Sequence, residues 1–99
     1  MNKREEILDF LRANKELLRS KYSIAKIGIF GSYARNEQTE KSDIDFILEY
    51  EENATDLFNK DYSLREYLKS AFKKDVDICH EGSIKPIFKP YILKDTIYV

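Results

Sequence analysis

Residues 24–30, IAKIGIF, constrain the fold most, because this short, apolar, β-branched run ends abruptly at a Gly31-Ser32 pair. A run of this length and composition predicts a buried strand. Gly28 has no side chain to pack within it, so we expect another backbone segment to approach it closely. The Gly-Ser pair then turns the chain. Residues 33–37 are predicted to form a short helix after the turn.

A second strand is predicted for residues 43–50, DIDFILEY, and two aspartates separated by one isoleucine stand at its start. Because side chains alternate along a strand, Asp43 and Asp45 leave the same face, with Cα atoms about 6.7 Å apart. Carboxylates placed in this way can converge on hard cations such as Mg²⁺. Two such ions can hold the attacking and leaving oxygens of a phosphoryl transfer.

A third strand is predicted for residues 75–79, DVDIC, with Val76 and Ile78 on its buried face. Asp77 lies in the middle of this strand, where burying an acid is costly unless it is paired or bound to a metal. We therefore expect Asp77 to be the third metal ligand. Asp75 shares its face and is the alternative, and a structural salt bridge is the other interpretation of Asp77.

The turn after the first strand has the composition of a phosphate-binding loop. Gly31 permits backbone geometry that a side chain would block, and Ser32 can donate its hydroxyl and its N–H to a phosphate oxygen. Arg35 and Lys41 are the cations that could neutralise phosphate charge. Arg35 is equally compatible with a structural ion pair.

Apolar spacing predicts the remaining elements. A capping box at Asn2 and Glu5 precedes the first helical segment, and Ser63 with Glu66 forms another before a second amphipathic helix. Thr55–Asn59 is expected to add a turn ahead of that helix. The predicted elements outside the first three strands are helix 3–21 with a break near Asn14, helix 33–37, the helix from Ser63, a helix from Pro86 with Phe88, Tyr91 and Ile92 on its buried face, and an edge strand at 97–99. This order predicts an α/β (α+β) fold, a small mixed β-sheet flanked by helices.

Composition sets limits on the class of protein. We expect one domain over residues 1–99. The net charge of −1 gives no support for a nucleic-acid partner. The single cysteine, Cys79, fits a reducing compartment, and no apolar run approaches the roughly 20 residues of a membrane span. We therefore expect a cytoplasmic protein without a membrane partner.

The motifs resemble the DNA polymerase β-like nucleotidyltransferase superfamily, whose signature is G-S, about ten residues, then D-x-D, with a third acid on a later strand. The resemblance is closest to the minimal nucleotidyltransferase (MNT) group, with its GSxARG and SDIDL motifs. This chain has GSYAR at 31–35 and SDIDF at 42–46, with flanks IGIF, VDI and the C-terminal segment that also look like this group. Asn36 stands where the group usually has glycine, and asparagine tolerates the left-handed backbone that such a turn needs.

The resemblance implies a polymerase β-like nucleotidyltransferase core and a Mg²⁺-dependent transfer of AMP from ATP. Two Mg²⁺ ions would be held by Asp43, Asp45 and Asp77, and Gly31, Ser32, Arg35 and Lys41 would bind the nucleotide. Similar proteins are often encoded beside a HEPN-domain toxin ribonuclease. The resemblance therefore implies an antitoxin that adenylylates a hydroxyl of its HEPN partner. The favoured acceptor is a tyrosine hydroxyl, and the two proteins would form a hetero-oligomer.

Two alternatives belong to other functional classes. One is an antitoxin that neutralises its toxin by binding alone, with Asn36 as the feature in its favour. The other is a small-molecule nucleotidyltransferase like the antibiotic-modifying members of the superfamily, which need additional helices to hold the acceptor. We do not find such helices in the predicted elements.

Overall fold

The computed structural model describes residues 3–99, and four helices, four strands and two short helical turns follow one another along them. Asn2, half of the predicted first capping box, lies outside the described residues. Within residues 3–99, no helix has both the length and the apolar character needed to cross a bilayer. The elements are α1 Lys3–Ala13, α2 Lys15–Tyr22, β1 Ile24–Phe30, α3 Gly31–Ala34, β2 Ile44–Tyr50, α4 Leu57–Phe72, β3 Val76–His80, a 3₁₀ turn Glu81–Ser83, α5 Lys89–Asp95 and β4 Ile97–Tyr98, with α3 itself a single turn.

The four strands form one mixed sheet in the order β3-β2-β1-β4. β1 is antiparallel to β2 and to β4, whereas β2 and β3 run parallel. A parallel pair needs a crossover, and α4 provides it. The predicted α/β (α+β) class with a small mixed sheet is therefore confirmed.

One face of the sheet carries the hydrophobic core. Alternate strand residues, among them Ile29, Phe46 and Leu48, are completely buried against α1, α2 and α4. The helices contribute residues at helical spacing, including Leu8, Leu11 and Leu64. Because strand side chains alternate, the remaining strand residues, which include the aspartates, project from the opposite face.

Two local predictions about the backbone are confirmed. The predicted helix over 3–21 breaks at Asn14, whose side-chain Nδ2 donates to the Phe10 carbonyl at 2.8 Å and competes with helix continuation. Gly28 is opposite Tyr98 in the ladder, and a Cβ on Gly28 would overlap the carbonyl oxygen of Ile97. Only glycine at this position lets β4 join the sheet.

The long helix begins earlier than its capping pattern predicted. α4 starts at Leu57, so the predicted turn at 55–59 is continuous with it, and Ser63 lies within the helix rather than at its cap. The Ser63–Glu66 capping box is therefore wrong, because burial of Leu64 and Leu68 against the sheet stabilises the whole helix.

The C-terminal helix is the largest departure from the predicted elements. α5 begins at Lys89, with Pro90 in its first turn, rather than at Pro86. Phe88 and Tyr91, expected on a buried face, are 55% and 75% exposed. With only seven residues, α5 can bury one narrow stripe of side chains against the sheet, and Ile92 is half-buried at the edge of that stripe.

Candidate active site

Strands β2 and β3 pair so that an aspartate of one strand lies opposite an aspartate of the other. β2 and β3 run parallel with Asp45 directly opposite Asp77. Neighbouring strands are about 4.8 Å apart, and directly opposed residues share a face. Asp43 precedes Asp45 by two residues, one position before β2 begins, and therefore lies on the same side. The structure brings the three predicted carboxylates to one end of the sheet, on the face away from the core.

The degree of burial differs from the prediction for Asp77. Both Asp77 and Asp43 are exposed, and only Asp45 is half-buried. The argument that burial forces Asp77 to take a partner is therefore wrong, although its position opposite Asp45 is the expected one. Asp75 is 77% exposed and lies 3.7 Å from the Lys69 ammonium.

The electrostatics of the cluster are concentrated on Asp45. Burial, followed by the charges of Asp77 and Asp43, raises the pKa of Asp45 to about 6, with a hydrogen bond to Asp77 adding to the effect. The guanidinium of Arg35 opposes this shift. Because like charges gathered at one place disfavour ionisation, the cluster favours a cation or a proton.

The donor set fits a divalent cation. Carboxylate oxygens are the ligands that Mg²⁺ prefers, and a cation relieves the repulsion that raises the Asp45 pKa. Among residues 3–99, no three acidic, histidine or cysteine side chains already enclose a common point as a metal cage. Asp43 and Asp77 are exposed and can rotate, so the two outer carboxylates could turn towards an ion beside Asp45.

Gly31 lies directly against the acid cluster. Its φ is 73°, a left-handed conformation, and a Cβ there would collide with the Oδ2 of Asp45. Helix α3 begins at Gly31, two residues earlier than predicted, and is four residues long. Its first internal bond runs from the Arg35 N–H to the Gly31 carbonyl at 3.1 Å. The earlier N–H groups of α3 therefore have no acceptor within the helix, and Ser32 is half-buried.

Arg35 is placed in ion pairs. Its Nε lies 2.7 Å from Glu37, its Nη1 lies 3.2 Å from Asp95 at the end of α5, and both carboxylates raise its pKa. These contacts match the structural interpretation of Arg35. They also tie α3 to the C-terminal segment, while its charge still acts on Asp45.

The turn after α3 keeps its geometry despite the substitution in the motif. Asn36 adopts φ 60°, the left-handed region that glycine usually occupies in such turns. Its N–H donates to the Tyr33 carbonyl at 3.3 Å, and the Glu37 N–H donates to Ser32 at 2.8 Å. Asparagine therefore accommodates the turn.

Lys41 lies away from Gly31, in a cavity of about 610 Å³ beside Asp43. The sequence did not reveal this cavity, because it is assembled from the loop before β2 and from the end of α4 with the turn that follows. The adjacent Lys73-Lys74 pair just before the DVDIC segment is the signal that could have indicated it. The residues that line it are Glu40, Lys41, Ser42, Asp43, Lys69, Lys73, Lys74 and Asp75.

A second polar group on the acid-bearing face was also not predicted. The Tyr98 hydroxyl donates to Glu81, and the Lys26 ammonium lies 3.3 Å from the same carboxylate. These contacts lower the pKa of Glu81, and the neighbouring Glu81 carboxylate raises the pKa of Glu49. The group joins β1, β4 and the 3₁₀ turn beside the site.

A cavity of about 650 Å³ lies at the opposite end of β2 and β3. It is lined by apolar residues of α4, Leu57 and Phe58, and by Asp61 and His80. His80 ends β3, and its Nε2 lies 2.8 Å from Oδ1 of Asp61. None of the three clustered aspartates reaches this cavity.

A mixed sheet that presents paired aspartates beside a Gly-Ser turn is the arrangement expected from the nucleotidyltransferase motifs of the sequence. The nucleotidyltransferase domain family matches residues 11–99, and the chain belongs to this family. Membership confirms the expected enzyme class.

Two curated relatives have sequences similar to nearly the whole chain. One is a candidate protein adenylyltransferase of Methanocaldococcus jannaschii, 48% identical over 95 residues, with 95% of each chain covered. The other is the protein adenylyltransferase MntA of Thermococcus cleftensis, 37% identical over 95 residues, with 96% of this chain and 94% of the relative covered. These relatives confirm the expected resemblance to the MNT group.

Solved structures share the fold. A structure described as a minimal nucleotidyltransferase superposes with a TM-score of 0.71 at 30% identity, covering 91% of this chain and 93% of its own. A toxin–antitoxin complex with AMP-PNP gives 0.65 at 23% identity, covering 96% and 70%. A tri-AMPylated Shewanella oneidensis HEPN toxin in complex with its MNT antitoxin gives 0.58 at 21% identity, covering 99% and 71%.

Proposed function

We propose that this protein is a Mg²⁺-dependent protein adenylyltransferase that moves AMP from ATP to a tyrosine hydroxyl of a HEPN-family toxin, and so acts as an antitoxin. The observation that carries the proposal is the in-register pairing of Asp45 with Asp77, with Asp43 beside them. Three carboxylates at one strand end, next to a glycine turn that only glycine can make, form a site for phosphoryl transfer.

The chemistry assigns a role to each residue. Bound Mg²⁺ would supply charge stabilisation for the reacting phosphate, and Asp43, Asp45 and Asp77 would hold it. The N–H groups that have no acceptor within α3, together with the Ser32 hydroxyl, would bind the triphosphate. The acceptor hydroxyl transfers its proton toward Asp77 and attacks the α-phosphorus in line; the bond to the β-phosphate oxygen breaks, and pyrophosphate leaves.

Relatives and structural neighbours support the donor and the acceptor. The relative at 37% identity is the protein adenylyltransferase MntA, and the relative at 48% identity is a candidate protein adenylyltransferase. One neighbour contains AMP-PNP, and another contains a HEPN toxin that carries AMP. ATP as the substrate and a HEPN protein as the acceptor are therefore proposed for this chain, with the pair forming a hetero-oligomer in the cytoplasm.

The test uses purified protein, a candidate HEPN-family protein from the same genome, ATP and Mg²⁺. We expect the intact mass of the HEPN protein to increase by one or more adenylyl groups, and EDTA to prevent the increase. Asp43→Asn should reduce the rate at least 100-fold, since it removes a ligand of the reacting centre. Asp9→Asn is the matched control, because Asp9 lies on the exposed side of α1, where it pairs with Arg12.

An unchanged partner mass in the presence of the wild-type protein, or equal modification by Asp43→Asn, would overturn the proposal. Protection of cells from the toxin by a variant with both Asp43→Asn and Asp45→Asn would favour neutralisation by binding alone. The left-handed geometry of Asn36, the residue that favoured this alternative, supports the catalytic proposal instead. Transfer to a small alcohol without any partner protein would indicate a small-molecule transferase.

A further inference from the structure

The cavity beside Asp43 is rich in lysine. Lys41 comes from the loop before β2, Lys69 from the last turn of α4, and Lys73 and Lys74 from the turn before β3. We call this the lysine cavity. It adjoins Asp43, so that a ligand in it would lie directly beside the proposed reacting centre.

The lysine charges are only partly neutralised. The Lys69 ammonium lies 3.7 Å from Asp75 and 3.8 Å from Glu66, contacts too long for strong bonds. The Lys74 ammonium donates to the neutral Glu40 carbonyl at 2.8 Å. Asp43, one of the acids that line the lysine cavity, is proposed as a Mg²⁺ ligand and would then not neutralise a lysine. Binding of Mg²⁺ there would leave the cavity with excess positive charge.

The lysine cavity and the Gly31 turn lie on different sides of the acid cluster. Gly31 follows β1, on one side of β2, and abuts Asp45. The lysine cavity is formed next to β3, on the other side of β2, and reaches Asp43 and Asp75. Attacking and leaving oxygens of an in-line transfer lie on opposite sides of the phosphorus. If pyrophosphate leaves near Gly31, the acceptor enters from the side of the lysines.

We propose that the lysine cavity binds the phosphodiester of an AMP already attached to the partner, and so allows a second AMP to be added. This inference rests on the proposed function. Tyrosine itself carries no negative charge for lysines to bind, whereas an attached AMP carries one next to its free ribose hydroxyls. One structural neighbour is a tri-AMPylated HEPN toxin in complex with an MNT antitoxin, so partner-attached AMP is present in that complex.

The second transfer follows the same bond changes as the first. A ribose hydroxyl of the attached AMP transfers its proton toward Asp77, and its oxygen forms a bond to the α-phosphorus of a new ATP. The bond between that phosphorus and the oxygen of the β-phosphate breaks, and pyrophosphate leaves. The lysines position the acceptor and take no part in proton transfer.

The experiment compares the rate constants of the first and second transfers onto the HEPN protein by intact-mass time courses. The test variant carries Lys73→Gln and Lys74→Gln, and the control carries Lys15→Gln and Lys94→Gln, which remove two exposed charges elsewhere. Two weakened ion pairs correspond to about a tenfold loss. We expect the ratio of second to first rate constant to fall about tenfold in the test variant only.

A binding assay makes the inference independent of activity. The probes are a fluorescent tyrosine peptide and the same peptide with AMP on the tyrosine hydroxyl. Wild-type protein should bind the AMP-peptide more tightly, and the Lys73→Gln/Lys74→Gln variant should lose that difference. If wild-type protein transfers no AMP, the proposed function fails, and this assay alone decides the role of the lysine cavity.

Three results would overturn the inference. The first is an unchanged ratio of rate constants in the test variant. The second is an equal loss of the first and second transfers, which would mean that the lysines bind an acidic side chain of the partner. The third is equal affinity of wild-type protein for the two peptides. Thermal unfolding of each variant ensures that the comparison is made between folded proteins.

Discussion

Replacing Gly31 by alanine tests the link between the turn and the acid cluster. Alanine at φ 73° costs about 1–2 kcal/mol, offset by roughly 0.4–1 kcal/mol from the less flexible unfolded chain. The added methyl group would also overlap Oδ2 of Asp45 and approach its Cγ at 3.2 Å. Displacing that carboxylate adds about 1–2 kcal/mol. We therefore expect Gly31→Ala to lower the free energy of unfolding by about 2–3 kcal/mol.

Calorimetry and urea unfolding measure this loss, which corresponds to a drop in Tm of roughly 10–20 °C for a domain of this size. Adenylyl transfer should fall about 100-fold, because displaced carboxylates no longer meet at the reacting centre. Gly82→Ala is the matched control: a Cβ on Gly82 meets no atom within 4 Å, so its stability should be unchanged or slightly higher.

A double-mutant cycle separates strain from overlap. In an Asp45→Ala background the overlap is gone, and Gly31→Ala should cost only about 1 kcal/mol of backbone strain. A Tm loss below about 4 °C in the wild-type background would refute the reasoning. So would an equal cost of Gly31→Ala in both backgrounds, because the contact with Asp45 would then contribute nothing.

Three further changes test other parts of the fold. Ser23→Gly should raise stability by about 0.5–1 kcal/mol, because Ser23 ends α2 at φ 57°. Gly28→Ala should cost about 1–3 kcal/mol, because its methyl group would overlap the Ile97 carbonyl and loosen β4. Tyr98→Phe should cost about 1–2 kcal/mol at neutral pH, because its hydroxyl donates to Glu81. That contribution is present while Glu81 is ionised and is lost as the pH falls through its lowered pKa.

Urea unfolding at pH 7 and at about pH 3, below the ordinary glutamate pKa, measures all three effects. A destabilised Ser23→Gly protein would contradict the strain argument. Protection of the β4 amides from hydrogen exchange in Gly28→Ala, equal to that in wild type, would contradict the close-approach argument. Lys26 and Glu49 also face the Glu81 carboxylate. For Tyr98→Phe, a loss of stability that is equal at both pH values would show that ionisation of Glu81 is not involved.

Local patterns predicted the parts of the fold that depend on neighbours in the chain. β1 spans the predicted residues 24–30, β2 begins one residue later than predicted, and the Gly-Ser turn follows β1 as predicted. The helical capping patterns failed at Ser63, because burial of an apolar stripe outweighs a favourable cap by several kcal/mol.

For the candidate site, the same-face position of Asp43 and Asp45 follows from strand periodicity alone. The parallel register that places Asp77 opposite Asp45 is a tertiary result, since it depends on how α4 carries the chain across the sheet. Arg35 pairs with Asp95, which lies sixty positions further along the chain, and no local pattern predicts that pairing.

The amino-acid sequence by itself determined the strand alternation, the glycine positions and the identity of the acids, because each depends on residue type and spacing within a few positions. Tertiary structure alone decided the exposure of Asp77 and the open face of α5. It also decided the gathering of Lys41 with Lys69, Lys73 and Lys74 beside Asp43. These features depend on which distant segments pack together, and packing is set by the sum of many weak contacts over the whole sheet.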